Sequence, residues 1–138
     1  MDGSVVLALD VGERRIGVAV GEGGFAFPHS TLERTNVRDD VERIVAIAHE
    51  RGARTIVVGD PVTLAGTRAL AAEKIDAFVA HLARRYDGAI ERIDERMTTA
   101  AAQKSLIAAD VSRAKRRKVI DQLAAVGILE TWLARKAR

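Results

Sequence analysis

No cysteine occurs anywhere in the chain. That excludes a disulfide scaffold, a thiolate metal site and a cysteine nucleophile, and it fits a cytoplasmic protein. Aromatic residues make up only 4% of the sequence, too few to line a groove that stacks successive unpaired bases. Long apolar runs are missing too. None approaches the ~18 residues needed to span a bilayer, so no membrane partner is expected. The apolar stretch near the start is interrupted by Asp10 and has no basic lead-in, which speaks against a signal peptide. Gly-x-Gly-x-x-Gly opening a helix and the Walker A pattern are both absent, which sets aside dinucleotide and P-loop nucleotide sites. The three histidines, His29, His49 and His81, lack metal-ligand spacing.

What is present is a chain of 138 residues with 48% hydrophobic and 30% charged residues, the balance of one globular domain spanning 1–138. The net charge is only +3, but it is unevenly placed. Residues 111–138 hold 8 Lys/Arg against 2 Asp/Glu, leaving 14 against 17 for residues 1–110. A basic segment beside an acidic body points to a polyanionic partner or to a solvated helix end.

Along the chain, Val5–Leu9 and Ile16–Val20 read as a hairpin, and Phe25–Phe27 as a third strand broken by Pro28. Val41, Ile44, Val45 and Ala48 keep helical spacing, with Asn36 or Asp39 as the cap and Gly52 as the stop. Thr55–Val58 is a short buried strand closed by Gly59-Asp60-Pro61. A helix after Gly66 carries Ile75, Phe78, Val79, Leu82 and Tyr86 to the stop at Asp87-Gly88, and Ala89–Ile93 is the last strand. Thr98 or Thr99 can cap a helix reaching about Ala108, and a final helix is expected from about Val119 to Ala134, after the basic stretch. Phe25, Phe27, Phe78 and Trp132 are expected in the core. Three meandering strands followed by β-α-β units predict an α/β fold: a mixed five-stranded sheet with helices on both faces, in the order of a ribonuclease H-like domain.

Three acids stand out by position. Asp10 ends the most apolar strand, Glu95 follows the last strand, and Asp121 lies in the first turn of the final helix on its apolar face. Taken singly, Asp10 reads as a turn cap, Glu95 as an ion-pair partner of Arg96, and Asp121 as a favourable charge at a helix N-terminus. Taken together on this element order, they converge at the carboxyl ends of the strands, where α/β sheets build their sites. Three such carboxylates repel by roughly 4 kcal/mol per pair at about 4 Å and an effective dielectric of about 20. They call for cations, and an all-oxygen donor set suits Mg²⁺ or Mn²⁺, which can clamp the attacking and leaving oxygens of a phosphodiester. Around this site Arg14 and Arg15 flank one side, and Arg113, Lys115, Arg116, Arg117 and Lys118 the other. Those are positions for phosphate contacts or for a solvated loop.

The stretches carrying these acids, "LALDVGERRIGVAV" (7–20), "DERMTT" (94–99) and "KVIDQLAAVGILETWL" (118–133), resemble the signature motifs of the YqgF/RuvX family of Holliday-junction resolvases and pre-16S rRNA nucleases. They match its Asp-x-Gly-x-x-Arg-Ile-Gly-Val-Ala opening, its Asp-Glu-Arg-x-Thr/Ser-Thr and its Lys-x-x-Asp-x-x-Ala-x-x-Ile-Leu helix, in order. The resemblance runs from about Val5 to Leu133 and implies a metal-dependent nuclease with Asp10, Glu95 and Asp121 as metal-binding catalytic acids. It implies RNA, branched DNA or both as partner, and a homodimer where a junction is cut. One loop departs: the family's Gly-Leu-Pro-x-Asn-x-Asp-Gly is here "GDPVTLAG" (59–66), in which Asp60 either adds negative charge on the substrate side or caps the loop. A nucleotide-binding ATPase or sugar-kinase half shares the element order but needs a second lobe, for which 138 residues leave no room. A non-catalytic binding module gains nothing from clustered acids.

Overall fold

The computed structural model describes residues 4–60, 69–94 and 113–137. The expected helix near 99–108, the loop 61–68 and Glu95 lie outside them. Five strands form one sheet: β1 (Val5–Val11), β2 (Arg15–Glu22), β3 (Phe25–Glu33), β4 (Ala53–Asp60) and β5 (Ala89–Asp94), in the order β3-β2-β1-β4-β5. β1, β2 and β3 pair antiparallel, while β4 and β5 add in parallel. Helices α1 (Val37–Arg51) and α2 (Ala69–Arg85) pack on one face, and α3 (Arg113–Lys136) lies on the other. This is the mixed α/β sheet expected from the sequence.

The alternation of each strand explains the two layers. Leu7 and Leu9 of β1, with Val18, Ile56 and Val58, point to α1 and α2, where they meet Ile44, Phe78 and Leu82. Val6 and Ala8, with Ala19, Val57 and Ile93, point to α3 and meet Ala125, Ile128 and Leu129. A central strand covered on both sides must be apolar on both sides, hence the unbroken run Val5–Leu9. Each of its leucines, fully buried, contributes about 2 kcal/mol by area.

The α3 face of the sheet is built from small residues. A side chain at Gly17 would collide with the Asp121 carbonyl, one at Gly59 with Ile128, and one at Gly21 would crowd Leu129. Their absence lets α3 lie directly on the strands. Two further contacts fix its rotation. Gln122 Nε2 donates to Thr31 Oγ1 of β3 at 3.2 Å, and Trp132 Nε1 donates to Glu91 Oε1 of β5 at 3.1 Å.

α1 is capped as its sequence demands. The Asn36 side chain accepts from the Asp39 amide at 2.9 Å, and Gly52 closes the helix in the left-handed conformation at φ 69°.

Three expectations need correction. β3 does not break at Pro28 but continues to Glu33. It is an edge strand, and a register shift opposite Val18/Ala19 absorbs the proline, which has no amide to contribute to the ladder. Phe25 and Phe27 are 69% and 53% exposed rather than core, because α1 and α2 do not reach the outer edge of β3. Finally, α3 begins at Arg113, not near Val119. The basic residues therefore form its opening turns instead of a loop, and Asp121 sits eight residues into the helix rather than in its first turn. Lysine and arginine favour helix, so a charge run without apolar period can still extend one.

Candidate active site

Asp10 is the next-to-last residue of β1 and is only 8% exposed. Its cross-strand partner in β2 is Gly17, and directly opposed residues of an antiparallel pair point to the same face. That face is α3's, since Val6 and Ala8, at the same alternation as Asp10, are packed there. Gly17 in turn lies against the Asp121 backbone. Two acids 111 positions apart in sequence are thus brought to one spot, on either side of a glycine that leaves room for the helix. Among the acids singled out from sequence, the backbones of Asp10 and Asp121 both adjoin Gly17, and Glu95 lies outside the described residues.

Arg15 opens β2 two residues before Gly17, so it shares the α3 face. Its Nε donates to Asp121 Oδ2 at 2.7 Å, a charge-assisted bond with the two side chains 22% and 15% exposed. Arg14, its neighbour, is exposed. Along α3, Lys118 and Arg117 stand three and four residues before Asp121 in the sequence, with Arg116, Lys115 and Arg113 earlier still.

Asp60 answers a different question. It follows Val58 by two, which places it on the α1/α2 face, away from Asp10. Arg92 binds it at 3.2 Å and also binds Asp76 of α2 at 2.7 Å, tying the ends of β4, α2 and β5 together. Burial lowers the Arg92 pKa, but these two carboxylates outweigh burial and raise it. Asp94 pairs with Asp60 in the β4–β5 register, so it too turns from the site face.

A network centred on Asp40 supports the site from behind. Asp40, fully buried in the first turn of α1, accepts from the Thr35 amide at 3.0 Å, Thr35 Oγ1 at 3.1 Å, Arg34 Nε at 3.1 Å and Arg43 at 2.7 Å. Arg34 also donates to the Gly12 carbonyl at 2.8 Å, within the turn that follows Asp10, and its guanidinium lies over the Phe78 ring. Burial pushes the Asp40 carboxyl up, yet the donors from Thr35, Arg43 and Arg34 together hold it below its ordinary value. The signal was available: Asp40 stands four residues before Ile44 on the apolar stripe of α1, where an acid requires partners.

Chemically, the described residues on the α3 face at the end of β1 present carboxylate oxygens and a guanidinium. Oxygen donors in a mostly buried setting suit a hard divalent cation.

Comparison with known proteins agrees with this architecture. The sequence model of the RuvX family, described as Holliday junction resolvase, matches residues 4–135. A protein of Clostridium perfringens (strain SM101 / Type A) named "Putative pre-16S rRNA nuclease" is 40% identical over 132 residues, covering 94% of this chain and 96% of its own. One of the same name from Thermoanaerobacter pseudethanolicus is 43% identical over 131 residues, covering 93% and 94%. Among solved structures, T. thermophilus RuvC in complex with Holliday junction substrate superposes with a TM-score of 0.61 at 13% identity, covering 97% of this chain and 96% of that one. That likeness places the fold in the ribonuclease H-like class. The family match over nearly the whole chain, together with relatives at this identity and coverage, makes the chain a member of the RuvX family.

Proposed function

We propose that the chain is a divalent-metal-dependent nuclease that hydrolyses phosphodiester bonds in structured nucleic acid, with the 5′ end of pre-16S rRNA as its substrate. Nuclease activity follows from the family and from the names of its relatives. The observation that carries the metal reading is the convergence of Asp10 and Asp121 across Gly17. Glu95 is the third ligand in this reading. It is the acid of the Asp-Glu-Arg stretch that resembles the family's motif, directly after β5 in the sequence.

Asp10, Asp121 and Glu95 would hold Mg²⁺ or Mn²⁺. A bound ion of this kind supplies a hydroxide nucleophile at neutral pH and balances charge on the leaving oxygen. The chain's own part is to orient the carboxylates on rigid elements, β1 and α3, and to seat the phosphate backbone. Arg14, Arg15, Arg113, Lys115, Arg116, Arg117 and Lys118 serve that seating, Lys118 nearest to Asp121. Their contacts set affinity and register rather than bond breaking.

No described helix is long and apolar enough to cross a membrane. A cytoplasmic location, where ribosomal RNA precursors are found, is part of this reading. The family description keeps a second substrate in play, the four-way DNA junction, whose paired cuts would require a homodimer. A panel of labelled pre-16S rRNA 5′ fragments, linear duplexes and four-way junctions, incubated with Mg²⁺ or Mn²⁺, tests the choice. Preferential cleavage of the RNA fragment, abolished by EDTA, is expected. Cleavage of the junction alone would reverse the substrate assignment, and undiminished cleavage in EDTA would overturn the metal reading.

A further inference from the structure

Arg15 does something at this site that the metal reading leaves unexplained. Its Nε is bonded at 2.7 Å to the Asp121 carboxylate, one of the groups assigned to the ion. A guanidinium and a dication on one carboxylate, in a setting where both side chains are mostly shielded, repel each other far more than they would in water. The Arg15–Asp121 pair and a metal on Asp121 therefore compete for the oxygens of one carboxylate. Arg15 is also placed to let go. It stands at the first position of β2, directly after the turn Gly12–Arg14, with its side chain partly open to solvent. Arg14 beside it is exposed, so both arginines belong to the rim where a phosphate backbone would lie.

We propose that Arg15 is an exchangeable counter-ion: it holds Asp121 until a divalent ion takes that carboxylate, and then turns to a phosphate of the bound nucleic acid. This inference rests on the metal reading above and deepens it. It makes Arg15 a positioning residue that couples metal occupancy to substrate binding. The same guanidinium would stabilise the acidic site and, once released, add one backbone contact. It also gives the site a selectivity of its own, because a monovalent ion competes poorly with an arginine already in place while a divalent one competes well.

Mn²⁺ binding measured by titration calorimetry on the full chain tests this without reference to turnover. Relative to the unsubstituted protein, Arg15→Gln should bind Mn²⁺ about tenfold more tightly, since the competitor is gone. Arg15→Lys, which keeps the charge, should stay within about twofold. In Ca²⁺, Arg15→Gln should bind duplex more weakly, with a slope of log K against log salt smaller by about 0.9, the share of one phosphate contact. A measurement on the unsubstituted chain guards against a misfolded variant: the ¹⁵Nε–H resonance of Arg15 should shift as Mg²⁺ is added, with the half-saturation of metal binding. Equal or weaker Mn²⁺ binding by Arg15→Gln, or an Nε–H signal unmoved at saturating Mg²⁺, would overturn the exchange and leave the metal reading standing. Mn²⁺ bound no more tightly by the unsubstituted chain than by Asp10→Asn would overturn both.

Discussion

Asp10→Asn and Asp121→Asn should each lower the single-turnover rate of nucleic-acid cleavage in Mg²⁺ by on the order of a thousandfold or more. Each amide keeps the shape of the acid and removes the charge that binds the ion, so the loss belongs to chemistry rather than packing. Metal assistance contributes several kcal/mol to the transition state, and each 1.4 kcal/mol or so is tenfold in rate. The stability of the two variants should differ in an informative way. Asp10→Asn keeps the shape of a side chain only 8% exposed, so its unfolding temperature without added metal should be unchanged. Asp121→Asn gives up the bond from Arg15 and should lose a little stability, no more than a part-exposed ion pair contributes. Wild-type turnover by Asp121→Asn would remove α3 from the catalytic site. Thermal unfolding alongside the rate assay separates these effects.

Asp40→Ala should be the most destabilising of the charge removals, by about 3 kcal/mol in denaturant unfolding. It deletes the acceptor of four donors at a site with no solvent access. The arginines it serves are not fully enclosed, Arg43 less so than Arg34, and hydration of their freed guanidinium groups keeps the loss from being larger. The same network sets an acid limb. The Asp40 carboxyl is held below its unfolded value, so its contribution is fully present above the unfolded pKa of about 4 and is lost as pH falls through the folded one. Stability should therefore decline below about pH 5, and Asp40→Asn should flatten that decline while lowering the plateau at neutral pH. Since Arg34 bridges Asp40 to the Gly12 carbonyl, the variant should also loosen the turn after Asp10 and reduce cleavage modestly, through rate more than through substrate affinity. An acid limb as steep in Asp40→Asn as in the unsubstituted protein would assign it to other carboxylates.

Much of this architecture was legible in the sequence because the central strands leave little choice. β1, β2 and β4 are covered on both faces or nearly so, and their apolar runs admit no other reading. The acids at Asp10 and Asp121 were legible for the opposite reason, being charges where the pattern demands apolar residues. What the sequence hid falls into two kinds. Edge effects are one: Pro28 reads as a strand breaker, but an edge strand with a register shift accommodates it, and the same edge leaves Phe25 and Phe27 uncovered. Partnerships between distant residues are the other. Nothing local says that Arg15 will pair with Asp121, or that Gly17 is a glycine because a helix backbone must rest on it. The basic turns of α3 escaped because helix periodicity is read from apolar spacing, and residues 113–118 offer hardly any. Asp40 does not stand out in the sequence because an acid in a first turn already has a simple explanation, charge at the positive end of the helix dipole.

The measurement that bears most directly on the account is anomalous diffraction at the manganese edge from crystals of the full chain soaked in Mn²⁺. The account predicts a strong peak on the α3 face of the sheet at the end of β1, within coordination distance, roughly 2.0–2.2 Å, of carboxylate oxygens of both Asp10 and Asp121. A peak bound elsewhere, or none at saturating Mn²⁺ in well-ordered crystals, would contradict it.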